Sequence, residues 1–465
     1  MLDIHDLHVA LDIESGIVRA IEALSLAIAR GETFALVGES GCGKSMTALA
    51  LMRLLPENGR ITAGRIELEG ADMLALPESQ MRAVRGGRIG MIFQEPATSL
   101  NPVMKVGDQL LEAIQTHTPL RGAAARAKAI EWLRRVGIPE PERRIDDYPF
   151  RMSGGQKQRV MIAMTLATEP DFLIADEPTT ALDVTIQAQI LDLLRELQRE
   201  QGMGLMLITH DLAVVSGMAQ RVALMYAGQI VEVATAEEFF SSPKHPYAQA
   251  LLRALPDAQR RGEPLAAIAG TVPAMTQSFT GCRFAPRCAS AMAHCASTLP
   301  ALTALTATRS VRCLLYTDAN REPTVVVPLP ALAAQVQRAA APVRPLLDVK
   351  DLRVRFPIRK GLLQRVAGHF EAVAGVSFAI GAGRTLALVG ESGCGKTTAG
   401  KAIVQLLRHQ AAIDGEALLE GRNLFSLEGE ALTAARRDIQ IIFQDPYAPL
   451  NPRMRVYELL AEGLA

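Results

Sequence analysis

ALVGESGCGKS, at residues 35–45, is the most informative segment of the sequence. A strand-like run, TFALV, leads into it and a helix-like run, MTALALMRLL, follows it, which is the context that a phosphate-binding glycine loop needs. Glycines let backbone N–H groups turn toward phosphate oxygens, and the helix N-terminus adds its positive end. The pattern predicts an α/β nucleotide-binding fold in which the lysine reaches the β- and γ-phosphates and the serine ligates Mg²⁺. The residues assigned to the nucleotide are Gly38, Ser40, Gly41, Gly43, Lys44 and Ser45.

The ten residues ALVGESGCGK occur a second time and end at Lys396, which indicates a duplicated domain. IFQEPATSLNP, near residue 95, is likewise matched by IFQDPYAPLNP near residue 445. The second copy predicts the same phosphate contacts, with a threonine in place of the serine as magnesium ligand. The residues assigned to it are Gly390, Ser392, Gly393, Gly395, Lys396, Thr397 and Gln444.

Charge and hydropathy exclude several classes of protein. Lys plus Arg and Asp plus Glu both number 49, so no basic excess favours nucleic acid as a partner. No run of 18 apolar residues predicts a membrane-spanning helix, and the first residues, MLDIHDLHVALDI, predict a strand and not a signal peptide. Any role at a membrane is therefore expected to be peripheral.

Two further chemical groups lie in YPFRMSGGQKQRVMIAMTLATEPDFLIADEPTTALD, residues 148–183. An apolar run ends in Asp176 and Glu177, and carboxylates at a strand end suit Mg²⁺ binding and water activation. We predict that Asp176 holds the metal and that Glu177 is the general base that orients the attacking water. A helix start with a serine and two glycines forms a second anion cap, which is predicted to close over the nucleotide of a partner domain: Ser153, Gly154, Gly155 and Gln156.

With these motifs in this order the chain resembles the ABC ATPase family, whose signature motif is the SGGQ at residues 153–156. The resemblance implies an α/β fold, a P-loop NTPase ABC ATPase domain with a helical subdomain, duplicated and incomplete in its second copy. It also implies hydrolysis of ATP with Mg²⁺ as cofactor. Gln94 then corresponds to the Q-loop residue that senses Mg²⁺ and faces the membrane subunit, residues 181–183 to the loop that crosses to the partner domain, and His210 to the switch histidine at the γ-phosphate.

Adenine recognition is the weakest part of this resemblance. The family usually stacks an aromatic side chain on the base, and in the second copy Phe370 either fills that role or is a core residue. Near Val18, the corresponding place in the first copy, there is no aromatic residue. Either apolar contact alone holds adenine there or the correspondence is shifted.

The segments SSPKHPYAQALLRALP and GCRFAPRCASAMAHC resemble the C-terminal extension of ATPases from oligopeptide, dipeptide and nickel importers. Two fused ATPases resemble the glutathione-type importers. The resemblance implies an ATPase at the cytoplasmic face of the inner membrane that energises peptide uptake through separate permease subunits, supplied by a solute-binding protein. The alternatives are a nickel or other small-solute importer, a soluble ABC protein of translation or DNA repair, and a regulatory module that binds ATP without turnover.

Four cysteines in this extension, Cys282, Cys288, Cys295 and Cys313, are separated by five, six and seventeen residues. Four thiolates can supply every ligand of a [4Fe–4S] cluster or of a structural zinc ion. Reduced, buried or oxidisable thiols without metal are the third interpretation. Cys42 and Cys394 lie inside the glycine loops and are expected to be inert.

These features predict four segments: a first ATPase domain at 1–240, the cysteine-containing extension at 241–319, a linker at 320–345 and the N-terminal part of a second ATPase domain at 346–465. The second copy has no SGGQ, no Asp-Glu pair and no switch histidine, which suggests a truncated gene or a fragment. In this family each ATP lies between the loop of one domain and the signature of another, in the same chain or in a second chain. We therefore expect weak ATP hydrolysis that depends on pairing between first domains.

Overall fold

A computed structural model of the chain describes residues 1–95, 99–179, 182–255, 267–317, 345–360, 365–391, 393–443 and 450–462. The chain divides into two compact units, Met1–Val336 and Gln337–Ala465. Outside the described residues lie Ala181, Ser392, Gln444 and all but the last residue of the predicted linker. The bounds of the four segments given above stay a prediction.

The strands of the first unit form two sheets. They are β1 (Leu2–Ile13), β2 (Gly16–Ile28), β3 (Thr33–Val37), β4 (Gly59–Leu68), β5 (Ala71–Asp72), β6 (Ile89–Ile92), β7 (Phe172–Asp176), β8 (Gly204–Ile208), β9 (Arg221–Tyr226), β10 (Gln229–Thr235), β11 (Thr303–Ala304) and β12 (Ser310–Val311). One sheet has the order β2-β1-β4-β5, and the other the order β11-β12-β10-β9-β3-β8-β7-β6. The strand predicted at the start of the chain is confirmed as β1.

The centre of the larger sheet positions the site. Strands β9, β3, β8, β7 and β6 run parallel to one another. Every residue of β3, β7 and β8 is buried, because a parallel strand covered on both faces reads as a continuous apolar run. The carboxyl ends of these strands meet at one edge, where the chain continues into the glycine loop, Glu177 and His210.

The helices of the first unit are α1 (Lys44–Leu51), α2 (Glu78–Val84), α3 (Val106–His117), α4 (Gly122–Arg135), α5 (Pro141–Arg144), α6 (Gly154–Leu166), α7 (Val184–Gln201), α8 (Leu212–Met218), α9 (Ala236–Ser241) and α10 (Pro246–Arg253). Helix α1 ends at Leu51, four residues before the end of the predicted helical run. Helices α3, α4 and α6 pack on one another around Leu110, Trp132 and Val160, all buried. The Arg135 guanidinium lies 4.7 Å from the centre of the Trp132 ring. No helix within the described ranges is long and apolar enough to cross a bilayer.

The last part of the first unit folds back onto the larger sheet. Strand β12 pairs with β10, and short 3₁₀ turns at Ala285–Arg287, Ala293–Ala296 and Leu314–Tyr316 carry the cysteine segment. Tyr226, Tyr247 and Phe284 pack with ring centres 4.9–5.2 Å apart. This buried aromatic cluster joins the extension to the end of β9.

The second unit contains a four-stranded sheet of order β14-β13-β15-β16. Its elements are β13 (Pro345–Lys360), β14 (Arg365–Gly381), β15 (Ala412–Leu419), β16 (Arg422–Asn423), α11 (Lys396–Ile403), α12 (Gly429–Asp438) and α13 (Val456–Glu462). The segment TLALV that precedes its glycine loop is not a strand, and Val389 is 84% exposed. In the first unit the equivalent β3 is held between β8 and β9, and the described residues of the second unit contain no counterpart of those two strands.

Candidate functional site

The first glycine loop is closed by its own lysine. Lys44 is 7% exposed, and its Nζ donates to the carbonyl oxygens of Gly38 at 2.8 Å and Glu39 at 3.0 Å. Gly43 caps α1 with a φ of 108°, and a Cβ on it would lie 2.6 Å from the carbonyl oxygen of Ala20. Only glycine fits there, because positive φ and backbone contact both exclude a side chain. The loop therefore has the shape that a phosphate-binding loop requires.

Ser45 and Asp176 form the predicted magnesium site. Asp176 ends β7 and is 3% exposed, and its Oδ1 is buried without a hydrogen-bond partner. Burial raises the pKa of this carboxyl, and the hydrogen bond from Ser45 opposes the increase only in part. A buried carboxylate oxygen without a partner next to a hydroxyl suits a hard cation such as Mg²⁺, which prefers oxygen ligands. The residues present fit the ion, with phosphate oxygens and water as the other ligands.

The three residues predicted to be catalytic meet at Glu177. Gln94 Nε2 donates to Glu177 Oε2 at 3.1 Å, and His210 Nδ1 lies 3.0 Å from Glu177 Oε1. The backbone of Glu177 is left-handed, with a φ of 48°, a conformation that costs energy in residues other than glycine. Its N–H donates to the carbonyl of Ile208 at 2.9 Å, which holds the residue against the end of β8. The arrangement places a carboxylate between an amide and an imidazole.

One cleft of ≈ 700 Å³ joins the glycine loop to these residues. It is lined by Leu11, Val18, Ala20, Ser40, Gly41, Gly43, Lys44, Ser45, Met46, Gln94, Glu177, His210 and Met275. Its volume lies within the usual range of ligand pockets. No Phe, Tyr or Trp of the described residues lines it, in agreement with the missing aromatic near Val18. In the second unit Phe370 is 60% exposed, so the interpretation of this residue as plain core is wrong for that unit.

The signature residues lie outside this cleft. Ser153 caps α6, its Oγ accepts from Gln156 N at 3.3 Å, and Gln156 Oε1 accepts from Ser153 N at 3.1 Å. The predicted helix start at the SGGQ is thereby confirmed. Ser153 and Gly154 are exposed, which leaves their helix end open to another molecule or domain. Their contact with the nucleotide of a partner stays a prediction.

Sequence reasoning missed two residues of the extension that hold the glycine loop. Arg287 donates to both carboxylate oxygens of Glu39, at 2.8 and 3.2 Å, and Tyr247 Oη accepts from the Glu39 N–H at 3.1 Å. Burial lowers the pKa of Arg287, but hydrogen bonds to Glu39 and Tyr226 raise it above its ordinary value overall. These contacts join positions 208 and 248 residues apart, and no local pattern predicts them.

The four cysteines of the extension line one small cavity. Cys282, Cys288, Cys295 and Cys313 line it together with His245, and its volume is ≈ 10 Å³. All four thiols are free. Burial, and after it the neighbouring thiols, raise the pKa of Cys288 to about 11 and that of Cys313 to about 12. Within the described ranges no three His, Cys, Asp or Glu side chains already have the geometry of a metal site.

The second glycine loop repeats the geometry of the first. Lys396 Nζ donates to the carbonyl oxygens of Gly390 at 2.7 Å and Glu391 at 2.6 Å, and Gly395 caps α11 with a φ of 96°. Lys396 is more exposed than Lys44, and Thr397 is exposed. Gly393 also has a left-handed backbone, like its counterpart Gly41.

The chain is similar to known ATP-binding proteins of transporters. Residues 21–180 and 373–462 match the family described as ABC transporter, and residues 231–295 match the C-terminal region of oligopeptide/dipeptide transporters. The glutathione import ATP-binding protein GsiA of Pectobacterium atrosepticum is 42% identical over 471 residues, which cover 100% of this chain and 67% of GsiA. The uncharacterized ABC transporter ATP-binding protein YejF of Escherichia coli is 40% identical over 465 residues, 100% of this chain and 73% of that protein. A solved dimeric ATP-binding cassette in a post-hydrolysis state with ADP and phosphate is 26% identical, with a TM-score of 0.47 over 51% of this chain and 99% of that chain.

Proposed function

The chain belongs to the ABC transporter family, and on that premise we propose that it is the ATP-hydrolysing subunit of an importer of glutathione or other short peptides. ATPases of this family use ATP with Mg²⁺, and the chain is such an ATPase. The observation that carries the cargo proposal is the 42% identity, over 100% of the chain, to a protein named for glutathione import. The match of residues 231–295 to oligopeptide and dipeptide transporters supports a peptide-sized cargo.

The proposed chemistry uses the edge of the parallel sheet. Backbone N–H groups of the glycine loop and Lys44 bind the β- and γ-phosphates of ATP. Ser45, Asp176 and Gln94 would hold Mg²⁺, which would neutralise phosphate charge during hydrolysis. Glu177 accepts a hydrogen bond from the attacking water. His210, which lies beside the Glu177 carboxylate opposite Gln94, contacts the γ-phosphate. The contacts of Glu177 with Gln94 and His210 support these roles, since they hold the base in one orientation.

The substitution Glu177→Gln tests the assignment of the base. The amide keeps the size of the side chain and loses the charge that accepts a proton, so we expect ATP binding to persist and turnover to fall about 10²–10⁴-fold. Glu196→Gln, an exposed residue of α7, is the matched control and should hydrolyse ATP like the parent protein. Turnover of the Glu177 variant within twofold of the parent would remove this residue from the role of base.

We also propose that Ser153 of one first domain covers the ATP held at Lys44 of another, in the manner of the family. The exposed cap of α6 supports this role. The rate per chain should then rise with protein concentration, Lys44→Ala should abolish it, and Lys396→Ala should leave it almost unchanged. Equal sensitivity to both substitutions would show that the second copy takes part in turnover, against this proposal.

The proposed partners are integral membrane permease subunits, which a solute-binding protein supplies with cargo. The proposed location is the cytoplasmic face of the inner membrane, where the chain is bound peripherally through its permease. Uptake of labelled glutathione, a dipeptide and Ni²⁺ into cells that lack and then regain the chain tests both cargo and partnership. Loss of uptake of the peptides alone supports the proposal, whereas loss of Ni²⁺ uptake alone would contradict it.

For the extension we propose a structural [4Fe–4S] cluster held by Cys282, Cys288, Cys295 and Cys313. The four side chains line one cavity, and four thiolates suffice as ligands. Because that cavity measures only ≈ 10 Å³, the four side chains would have to move apart to admit a cluster. Anaerobically purified protein should contain about four irons per chain. One equivalent of zinc without iron would replace the cluster by a zinc site, and metal-free protein of full stability would leave plain thiols. Cys42→Ser is the control that should keep the metal.

A further inference from the structure

The apolar wall of the nucleotide cleft comes from two distant parts of the chain. Leu11 on β1 pairs with Val18 on β2, and Ala20 follows along β2. Met275, from the extension, completes this wall. Among the described residues no Phe, Tyr or Trp contributes to it, so Met275 is the longest of these four side chains. Met46 of α1 also lines the cleft, next to the glycine loop in the chain.

Met275 is held beside β2 by hydrogen bonds. Strand β2 is at the edge of its sheet, where backbone groups are free to pair. There the N–H of Arg19 donates to the carbonyl oxygen of Met275 at 3.0 Å, and Arg19 Nη1 donates to Ser278 Oγ at 3.2 Å. The extension thus runs along the open edge of the strand that carries Val18.

Two buried arginines fix the same segment. The side chain of Arg283 is 3% exposed and pairs with Glu22 of β2 at 2.5 Å. The side chain of Arg287 is 7% exposed and pairs with Glu39 of the glycine loop at 2.8 Å. One side of the extension therefore contacts both β2 and the phosphate-binding loop, and the position of Met275 relative to the loop is set by these pairs.

We propose that Met275 contacts the purine base of the bound nucleotide and takes the place of an aromatic side chain. The inference rests on the proposed binding of ATP at Lys44. A nucleotide with its phosphates at the glycine loop must place its base elsewhere in the same cleft, and the wall left for it is apolar. A thioether packs favourably against an aromatic ring, and its flexible chain adapts to the ring's position. The extension is then part of the nucleotide site, and Met275 determines base affinity.

The test compares ligands with and without a base. Dissociation constants of ATP, ADP and inorganic tripolyphosphate, each with Mg²⁺, are measured by calorimetry for the full chain. Met275→Ala should weaken ATP and ADP by the same factor, about 5- to 12-fold, and leave tripolyphosphate unchanged. Met275→Leu, which keeps apolar bulk, should stay within about threefold of the parent. Met164→Ala, a half-buried methionine of α6 outside the cleft, is the matched control and should change none of the three constants.

The outcomes separate this inference from the function on which it rests. Equal loss of ATP and tripolyphosphate affinity in Met275→Ala would show that the side chain acts through the glycine loop, and the base contact would be wrong. ATP affinity within twofold of the parent would overturn it as well, while the ATP site itself would stand. A parent protein that binds ATP no more tightly than tripolyphosphate would also refute the proposed base contact. A parent protein that binds neither ligand would overturn the proposed function together with the inference.

Discussion

Arg287→Met removes the guanidinium that joins the extension to the glycine loop, and it should destabilise the first unit measurably. The substitution keeps most of the apolar stem and takes away both hydrogen bonds to Glu39, together with the one to the carbonyl oxygen of Ala269 at 2.8 Å. The carboxylate of Glu39 would be left without its charged partner. Its side chain is 24% exposed, so water can restore only part of the lost solvation.

The expected loss follows from this partial burial. Removal of one member of a fully buried ion pair costs about 3–5 kcal/mol, and an exposed pair contributes about 0–1 kcal/mol. A pair in which one side chain is 7% and the other 24% exposed lies nearer the buried case, and we expect about 3 kcal/mol. For a unit that spans Met1–Val336, that corresponds to a fall in Tm of about 4 °C.

Differential scanning calorimetry of the full chain measures this effect in a double-mutant cycle. The double variant Glu39→Gln/Arg287→Met should lose less stability than the sum of the two single losses, because it retains no unpaired charge at this site. Arg126→Met is the matched control, since Arg126 pairs with Asp146 at 2.8 Å with both side chains about half exposed, and its Tm should shift by about 1 °C or less. Strict additivity of the cycle, or a loss in Arg287→Met no larger than in the control, would refute this reasoning.

Two further predictions concern the glycine loops. Gly43→Ala should abolish ATP binding, because a Cβ there would lie 2.6 Å from the carbonyl oxygen of Ala20. Calorimetry measures the binding, and circular dichroism should show that the larger sheet stays folded. Retained affinity would contradict the close contact. In the native 465-residue chain a maleimide should label the exposed Cys394 within minutes and leave Cys42 unlabelled. Cys42 is buried, and burial raises the pKa of its thiol. Peptide mass spectrometry measures the labelling, and equal labelling of both cysteines would contradict this difference in exposure.

The sequence predicted those parts of the site whose residues are neighbours along the chain. The glycine loop, the cap of α6 by Ser153 and the carboxylates at the end of β7 each depend on a few consecutive residues. The resemblance gave Gln94, Glu177 and His210 separate roles and did not predict that they meet. The parallel strands explain the meeting at Glu177, since their carboxyl ends share one edge of the sheet.

The contacts of the extension could not be predicted in this way. Arg287 lies between two cysteines, and its sequence context suggests metal chemistry, yet its partner is the loop residue Glu39. Met275 has no motif at all, because its position depends on pairing with the open edge of β2. The segment TLALV shows why a local pattern is not sufficient. Its pattern resembles that of β3, yet it is not a strand, because strand formation depends on neighbouring strands more than on composition.

Trp132 is the only tryptophan of the chain, and it is buried between α3, α4 and α6 beside a guanidinium. Intrinsic indole fluorescence therefore reports on the packing of these three helices. A red shift of the emission in urea would mark the loss of that packing. Emission can be compared with far-ultraviolet circular dichroism in the same titration. Coincident transitions would show that these helices, one of which carries the signature motif, unfold together with the sheet that holds the nucleotide, and separate transitions would show that they do not.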